Sequence, residues 1–202
     1  RTLGTIAPSW YTAVFTFHHQ IHTHAEANRD AIEQSSLRFI HTSSGRLDVR
    51  IAKDLERLFR TPVIGTYATT ETGVITGDSR PPANRKRTSV GTSAGAEVAV
   101  LDASRNRLPA GARGEVCVRG PNVFREYEND PEATADALDD GWFLTGDEGY
   151  LDEAGFLFLT GRVRETINRG GEKVSPSEVD AALLAHPSVS EAATFAIPHA
   201  SL

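Results

Sequence analysis

Residues 141–176 read GWFLTGDEGYLDEAGFLFLTGRVRETINRGGEKVSP. Thr145-Gly146-Asp147 predicts a tight turn that presents one acid. Two aromatic-rich strands follow, Gly149-Tyr150-Leu151-Asp152 and Phe156-Leu157-Phe158-Leu159, with Glu153-Ala154-Gly155 as the turn between them. A Gly161-Arg162 pair comes next, and then a basic glycine loop, Asn168-Arg169-Gly170-Gly171-Glu172-Lys173. That order suits a site that holds a nucleotide sugar and then hands a product to a second, mobile domain.

Working toward the N-terminus, residues 97–102 and 114–120 add two short apolar strands, with Pro109-Ala110-Gly111 as turn chemistry. Together these segments predict an all-β module, a small distorted barrel. Residues 131–137 insert a short helix, with Asp130 suited to its N-cap and Pro131 to its first turn. Residues 77–88 (GDSRPPANRKRT) read as a solvated basic loop, because no aromatic residues are interleaved as a nucleic-acid patch would require. Farther back, Leu37-Arg38-Phe39-Ile40 and residues 62–67 read as strands. Between them Val49, Ile51, Ala52, Leu55, Leu58 and Phe59 fall at helical spacing. Strand, polar turn, helix and strand make an α/β unit with ligand loops at the strand C-termini. Residues 10–14 lead into a helix expected from near Phe17.

Toward the C-terminus, Ser175, Pro176 and Glu178 predict a capping box that opens a helix. Val179, Leu183 and Leu184 form its apolar face, and His186-Pro187 its end. Residues 189–198 read as a strand. The fold class is therefore α/β followed by a β-barrel, with the start of an α+β domain after it. The expected boundaries are residues 1–88, 89–163 and 164–202.

The 202 residues are 39% hydrophobic and 24% charged, ordinary values for a globular chain. The net charge of -6 argues against a nucleic-acid partner and is read as solubility. No apolar run approaches the length of a membrane span. The single cysteine, Cys117, lies in an apolar strand and reads as a buried structural thiol. One thiol forms no internal disulfide, which points to a reducing, cytoplasmic setting (peroxisomal in a eukaryote). His18 and His22 stand at the i, i+4 spacing of some zinc sites. They lack an intervening Glu and an obvious third ligand, so they read as surface or partly packed side chains.

Three segments carry chemistry. Thr66-Tyr67-Ala68-Thr69-Thr70-Glu71-Thr72-Gly73 follows a strand. It is either a plain polar turn or a site where Thr bonds a phosphate, Glu holds Mg²⁺ and Tyr offers a flat face to a base. Thr145-Gly146-Asp147 is either an Asx turn or a carboxylate for the two hydroxyls of a ribose. The run from Gly161 to Lys173 is either a charged linker or a loop whose glycines let a ligand approach the backbone.

Taken in order, these segments resemble the adenylate-forming enzymes, the superfamily of acyl-CoA synthetases and peptide-synthetase adenylation domains. Tyr67-Ala68-Thr69-Thr70-Glu71 looks like their Tyr-Gly-x-Thr-Glu motif. Thr145-Gly146-Asp147 matches their ribose-binding acid, Gly161-Arg162-Val163-Arg164 their interdomain hinge, and residues 168–176 their glycine loop. The matching segments span residues 10 to about 198. Ala68 in place of the usual glycine, and the phrase Asn168-Arg169-Gly170-Gly171-Glu172-Lys173, are similar to the oxalate–CoA ligase-like branch. Thr72-Gly73-Val74-Ile75 departs from that branch where the segment can border the carboxylate pocket.

The resemblance implies an ATP-dependent acid–CoA ligase that forms an acyl-adenylate and then a thioester. ATP, Mg²⁺ and coenzyme A would serve it, with a small carboxylic acid as substrate. Tyr67 and Ala68 would border the adenine, with Ser44 and Gly45 near adenine and acyl group. Thr70 would bind the α-phosphate and Glu71 would hold Mg²⁺. Asp147 would take the ribose hydroxyls with Arg162 in support, Arg164 would be the hinge, and Gly170 and Gly171 would line the pantetheine path. Two alternatives stand beside it: a domain that loads a pantetheinylated carrier protein, and a non-catalytic module that keeps the fold. The start at Arg1, the lack of methionine and the stop at Leu202 predict a fragment. The family's phosphate loop is expected before Arg1 and its catalytic lysine after Leu202, a role Lys173 does not fill, so the fragment alone is expected to be inactive.

Overall fold

The computed structural model describes residues 6–43, 45, 47–79, 84–169, 172–186 and 188–197. The chain folds as two compact units, Arg1–Gly95 and Ala96–Leu202.

Among the described residues the first unit has five strands and three α-helices, in the order β1 (Trp10–Val14), α1 (Phe15–Thr23), α2 (Arg29–Glu33), β2 (Phe39–Ser43), α3 (Val49–Phe59), β3 (Val63–Thr69), β4 (Gly73–Gly77) and β5 (Thr92–Ser93). The strands form one sheet in sequence order. β1, β2 and β3 run parallel, while β3–β4 and β4–β5 are antiparallel. Asp48 starts α3 by accepting from the Arg50 and Ile51 amides at 2.7 and 3.4 Å, and Arg60 ends it in the left-handed conformation. Leu55 and Phe59, one turn apart, are buried against Ile40 and Val63. Full burial of a side chain such as Leu55 contributes about 1.5–3 kcal/mol.

α1 begins at Phe15, not Phe17, because β1 stops where its partner stops, at the Val14–Ser43 pair. The basic loop is not simply solvated. Arg85, with its side chain only 7% exposed, donates to the Val63 carbonyl and pairs with Glu56 at 2.8 Å. Arg87 pairs with the other Glu56 oxygen, and the Val63 amide donates to Glu56 at 3.0 Å. Burial opposes ionisation of Glu56, yet the hydrogen bonds from Arg85, Arg87 and Val63 outweigh it and hold the carboxyl below its usual range. Nearby Asp78 goes the other way, raised by burial against the Gly65 amide and the two arginines.

Glu56→Gln removes the carboxylate paired with the buried Arg85 and is expected to cost about 3 kcal/mol at neutral pH. Glu56 has a depressed folded-state pKa, so its contribution is complete above the unfolded value and fades as pH falls through the folded one. The gap in denaturant midpoint between Glu56→Gln and wild type should therefore narrow below the ordinary glutamate value of 4.5. A gap constant from pH 7 to acid would show that the charge is not what stabilises the loop.

The second unit contains β6 (Glu97–Leu101), β7 (Gly114–Arg119), α4 (Pro131–Ala137), β8 (Leu138–Asp139), β9 (Trp142–Leu151), β10 (Leu157–Arg162), β11 (Ile167–Arg169), β12 (Glu172–Val174) and α5 (Pro176–Leu184). Antiparallel strands in the order β10-β9-β7-β6, with β8 on β9, make a curled half-barrel sheet. Val116, Cys117 and Val118 are fully buried in β7, and burial pushes the Cys117 thiol up to about 12, so it is an inert core group. Asp130 caps α4 through the Ala133 amide at 2.9 Å, with Pro131 in the first turn.

Four local expectations change here. Thr145-Gly146-Asp147 is not a turn between strands but lies inside one ten-residue strand, β9, because β7 pairs with it on both sides. The capping box is not made. Ser175 and Ser177 both donate to the Thr160 carbonyl at 2.7 Å, and Glu178 pairs with Arg113 at 2.9 Å. The segment read as either a charged linker or a glycine loop carries an antiparallel strand pair, β11–β12. Among the described residues, 189–197 form no strand; Pro187 and Pro198 lie outside the described residues.

Candidate functional site

Tyr67, Ala68 and Thr69 occupy the end of β3, and residues 70–72 form the turn into β4. The motif is thus a β-hairpin, where the sequence suggested a turn after a strand. The hairpin exists because β3 outruns its parallel neighbour. The last β2–β3 pair is Thr42–Gly65, and from Thr66 onward β3 pairs with β4 instead. A register shift between Tyr67 and Ala68 bends the ladder there. At the tip the Thr69 and Thr72 hydroxyls meet at 2.9 Å, and Thr72 donates to the Gly73 carbonyl at 3.0 Å. Thr70 is exposed, and Tyr67 and Glu71 are half-buried.

Gly45 follows β2 at the same C-terminal end of the parallel strands, facing the Phe15 ring. Ser44 lies outside the described residues, as do Gly170 and Gly171. On β2, His41 bridges two neighbours, with Nδ1 at 2.8 Å from the Thr12 hydroxyl and Nε2 at 3.0 Å from the Thr66 hydroxyl. Burial lowers the His41 pKa, so the imidazole is neutral at neutral pH. His18 is fully buried, contrary to expectation, with its Nδ1 at 3.4 Å from the Tyr11 hydroxyl. Burial lowers its pKa as well, against the pull of the Ala13 and His41 backbone. His22 pairs with Asp54 at 3.0 Å.

In the second unit, Asp147 and Arg162 are direct cross-strand partners on β9 and β10. The Arg162 Nε lies 2.8 Å from the Asp147 carboxylate, whose side chain is 10% exposed against 60% for the arginine. The acid is delivered by a bulge. Between the Cys117–Leu144 and Glu115–Glu148 pairs, β9 carries two more residues than β7. Gly146, at φ +70°, supplies the left-handed residue this requires. Its amide donates to Glu115 at 3.1 Å, the Thr145 hydroxyl donates to the Val116 carbonyl at 2.7 Å, and the Asp147 amide donates to the Thr145 hydroxyl at 3.1 Å. The backbone around Asp147 is thereby fixed, with its carboxylate held against the Arg162 guanidinium. Arg164 sits on an exposed 3₁₀ turn, Val163–Glu165, directly after β10.

Among the described residues no three His, Cys, Asp or Glu side chains cluster as a metal site. Glu71 by itself fits Mg²⁺, a hard ion that binds through one or two carboxylates together with substrate phosphates. No helix of the described residues is long and apolar enough to cross a membrane. The His41 bridge and the Thr145–Glu115 support were not foreseen. A threonine or histidine in a strand carries no local signal of which strand lies beside it.

A family model described as AMP-binding enzyme matches residues 1–128. The chain is 46% identical over 192 residues to a probable CoA ligase, CCL9, of Humulus lupulus, covering 94% of this chain and 36% of that protein. It is 45% identical to the oxalate–CoA ligase of Arabidopsis thaliana, covering 94% and 37%. Among solved structures, ATP-bound MatB from Rhodopseudomonas palustris superposes with a TM-score of 0.86 at 28% identity, covering 98% of this chain and 39% of that one. The AMP complex of o-succinylbenzoate coenzyme A synthetase (MenE) from Bacillus subtilis gives 0.81 at 29% identity, covering 96% and 40%. The chain therefore spans somewhat over a third of the length of these relatives.

Proposed function

This chain belongs to the AMP-binding enzyme family, and we propose that the protein carrying it is an ATP-dependent acid–CoA ligase. A carboxylate oxygen of the acid attacks the α-phosphorus of ATP, the bond to the β-phosphate breaks, and pyrophosphate leaves. The thiolate of coenzyme A then attacks the acyl carbon, the bond to AMP breaks, and the thioester forms. The observation that carries the reading is the Asp147–Arg162 pair. A nearly buried carboxylate on a fixed glycine bulge, braced by one guanidinium, is built to accept two ribose hydroxyls. The CoA-ligase names of the two plant relatives support the thiol acceptor over a carrier protein.

In this reading Tyr67 stacks on the adenine beside Ala68, and the exposed Thr70 hydroxyl bonds the α-phosphate. Glu71 holds Mg²⁺, which when bound offsets phosphate charge. The chain's own part is to position groups and exclude water. The segment after β10 swings about Arg164 between the two half-reactions, and Gly170 and Gly171 line the path of the pantetheine arm. The boundaries 1–88, 89–163 and 164–202 are the functional divisions proposed with it.

The test is ATP–pyrophosphate exchange by the complete protein against a panel of acids that includes oxalate. Acid-dependent exchange, lost in Glu71→Ala, is expected. Product formation on adding coenzyme A would then assign the thiol acceptor. Absence of exchange with every acid would overturn the reading.

A further inference from the structure

The geometry points to His41 as a positioning residue for the nucleotide hairpin: its imidazole, held between Thr12 and Thr66, clamps β3 where that strand leaves β2. The Thr42–Gly65 pair is the last backbone link between β2 and β3. The next residue, Thr66, turns to β4, and there the His41 Nε2 meets its hydroxyl at 3.0 Å. A side-chain bond thus continues the attachment one residue beyond the point where the backbone ladder stops. The other arm of Thr66 is also engaged, because its methyl packs over Gly77 on the opposite strand. Thr66 is therefore fixed from β2 on one side and β4 on the other, immediately before Tyr67.

The clamp matters because the backbone alone does not set the direction of the hairpin. The β3–β4 register shifts between Tyr67 and Ala68, and a bulge is a local bend whose angle depends on what anchors its root. The chemistry suits the task. A neutral imidazole offers one donor and one acceptor, and a hydroxyl offers both, so the two bonds form with either tautomer. Thr12, at 2.8 Å from Nδ1, holds the ring from the far strand and fixes its plane. A three-strand chain, Thr12–His41–Thr66, thus reaches from β1 to the base of residues 67–71. Its relevance to catalysis rests on the ligase reading above; the clamp itself does not.

The test uses the complete protein with two readouts. The first is amide hydrogen exchange across residues 66–73 without nucleotide. His41→Leu is expected to speed exchange there about tenfold, the effect of losing a net hydrogen bond of ordinary strength, and to leave β7 and β9 unchanged. His41→Gln, whose amide can still reach Thr66, should restore most of the protection. The second is the KM for ATP in pyrophosphate exchange, expected to rise about tenfold in His41→Leu. Thr66→Val should reproduce both effects, and the double variant should be no worse than either single one. Thr66→Val also serves if His41→Leu does not fold. Unchanged hairpin exchange in both variants would overturn the clamp, as would uniform loss of protection across the whole first unit without rescue by Gln. If wild type lacks acid-dependent exchange, the ligase reading fails, and the hydrogen-exchange result still decides the clamp.

Discussion

Asp147→Asn in the complete protein is expected to lower kcat/KM for ATP in pyrophosphate exchange by at least about 100-fold, with the melting temperature nearly unchanged. The carboxylate is proposed to accept from both ribose hydroxyls. Hydrogen bonds to a charged group contribute about 1.5–3 kcal/mol each, so losing both would cost about 3–6 kcal/mol. Asparagine keeps the shape, but one of its two terminal atoms is a donor, which faces a hydroxyl or Arg162 unproductively. Stability should change little because Arg162, at 60% side-chain exposure, is solvated without its partner. The main-chain bonds of the bulge, through Thr145 and Glu115, do not involve the Asp147 side chain. Activity within threefold of wild type would remove Asp147 from the nucleotide site. A large fall in melting temperature with unchanged activity of the folded protein would assign it to the sheet alone.

The second large effect is expected at Gly91, which precedes β5 at φ +91°. A methyl group built there overlaps the Gly77 carbonyl and comes within 2.7 Å of the Asp78 amide nitrogen. These are backbone atoms of β4 and the residue after it, and they cannot rotate away. Gly91→Ala should therefore destabilise the first unit by more than about 4 kcal/mol, the range reserved for steric disruption of a core element. Gly111→Ala is the matched control. Gly111 also has positive φ, +83°, yet its methyl would meet nothing within 4 Å. It should cost only the left-handed backbone term, about 1–2 kcal/mol. Equal losses in urea denaturation at the two sites would show that strand β5 yields to admit the methyl.

The sequence motifs put forward the segments of the candidate site but not how each is presented. The apolar spacing of Ile51, Ala52, Leu55, Leu58 and Phe59 foretold α3 within a residue, since a helix hydrogen-bonds within itself and its period is local. Asp130 and Pro131 foretold the start of α4 for the same reason. Asp147 stood out by its place in the ordered set of motifs, since by itself it also read as an Asx turn. That it lies in a bulge and not a turn depended on β7, about thirty residues earlier, pairing on both sides of Gly146. Ser175 had the local grammar of a capping box, but its hydroxyl instead donates to the Thr160 carbonyl across the unit and makes no cap bond. Arg85 and Arg87 looked like solvated charge until Glu56 of α3 came within reach.

What the sequence alone determined was the family, the α/β-then-β order and the identity of the residues put forward for nucleotide chemistry. All of these are carried by short contiguous patterns whose hydrogen bonds and periods close within a few residues. Tertiary structure alone decided the Thr12–His41–Thr66 chain, the bulge that presents Asp147, the Arg85 clamp and the length of β9. Each of these joins residues at least ten positions apart, and all but the Arg85 clamp do so through strand register. Register follows from which strands pair and where each ladder stops, a property of the whole sheet that no single stretch of the chain encodes.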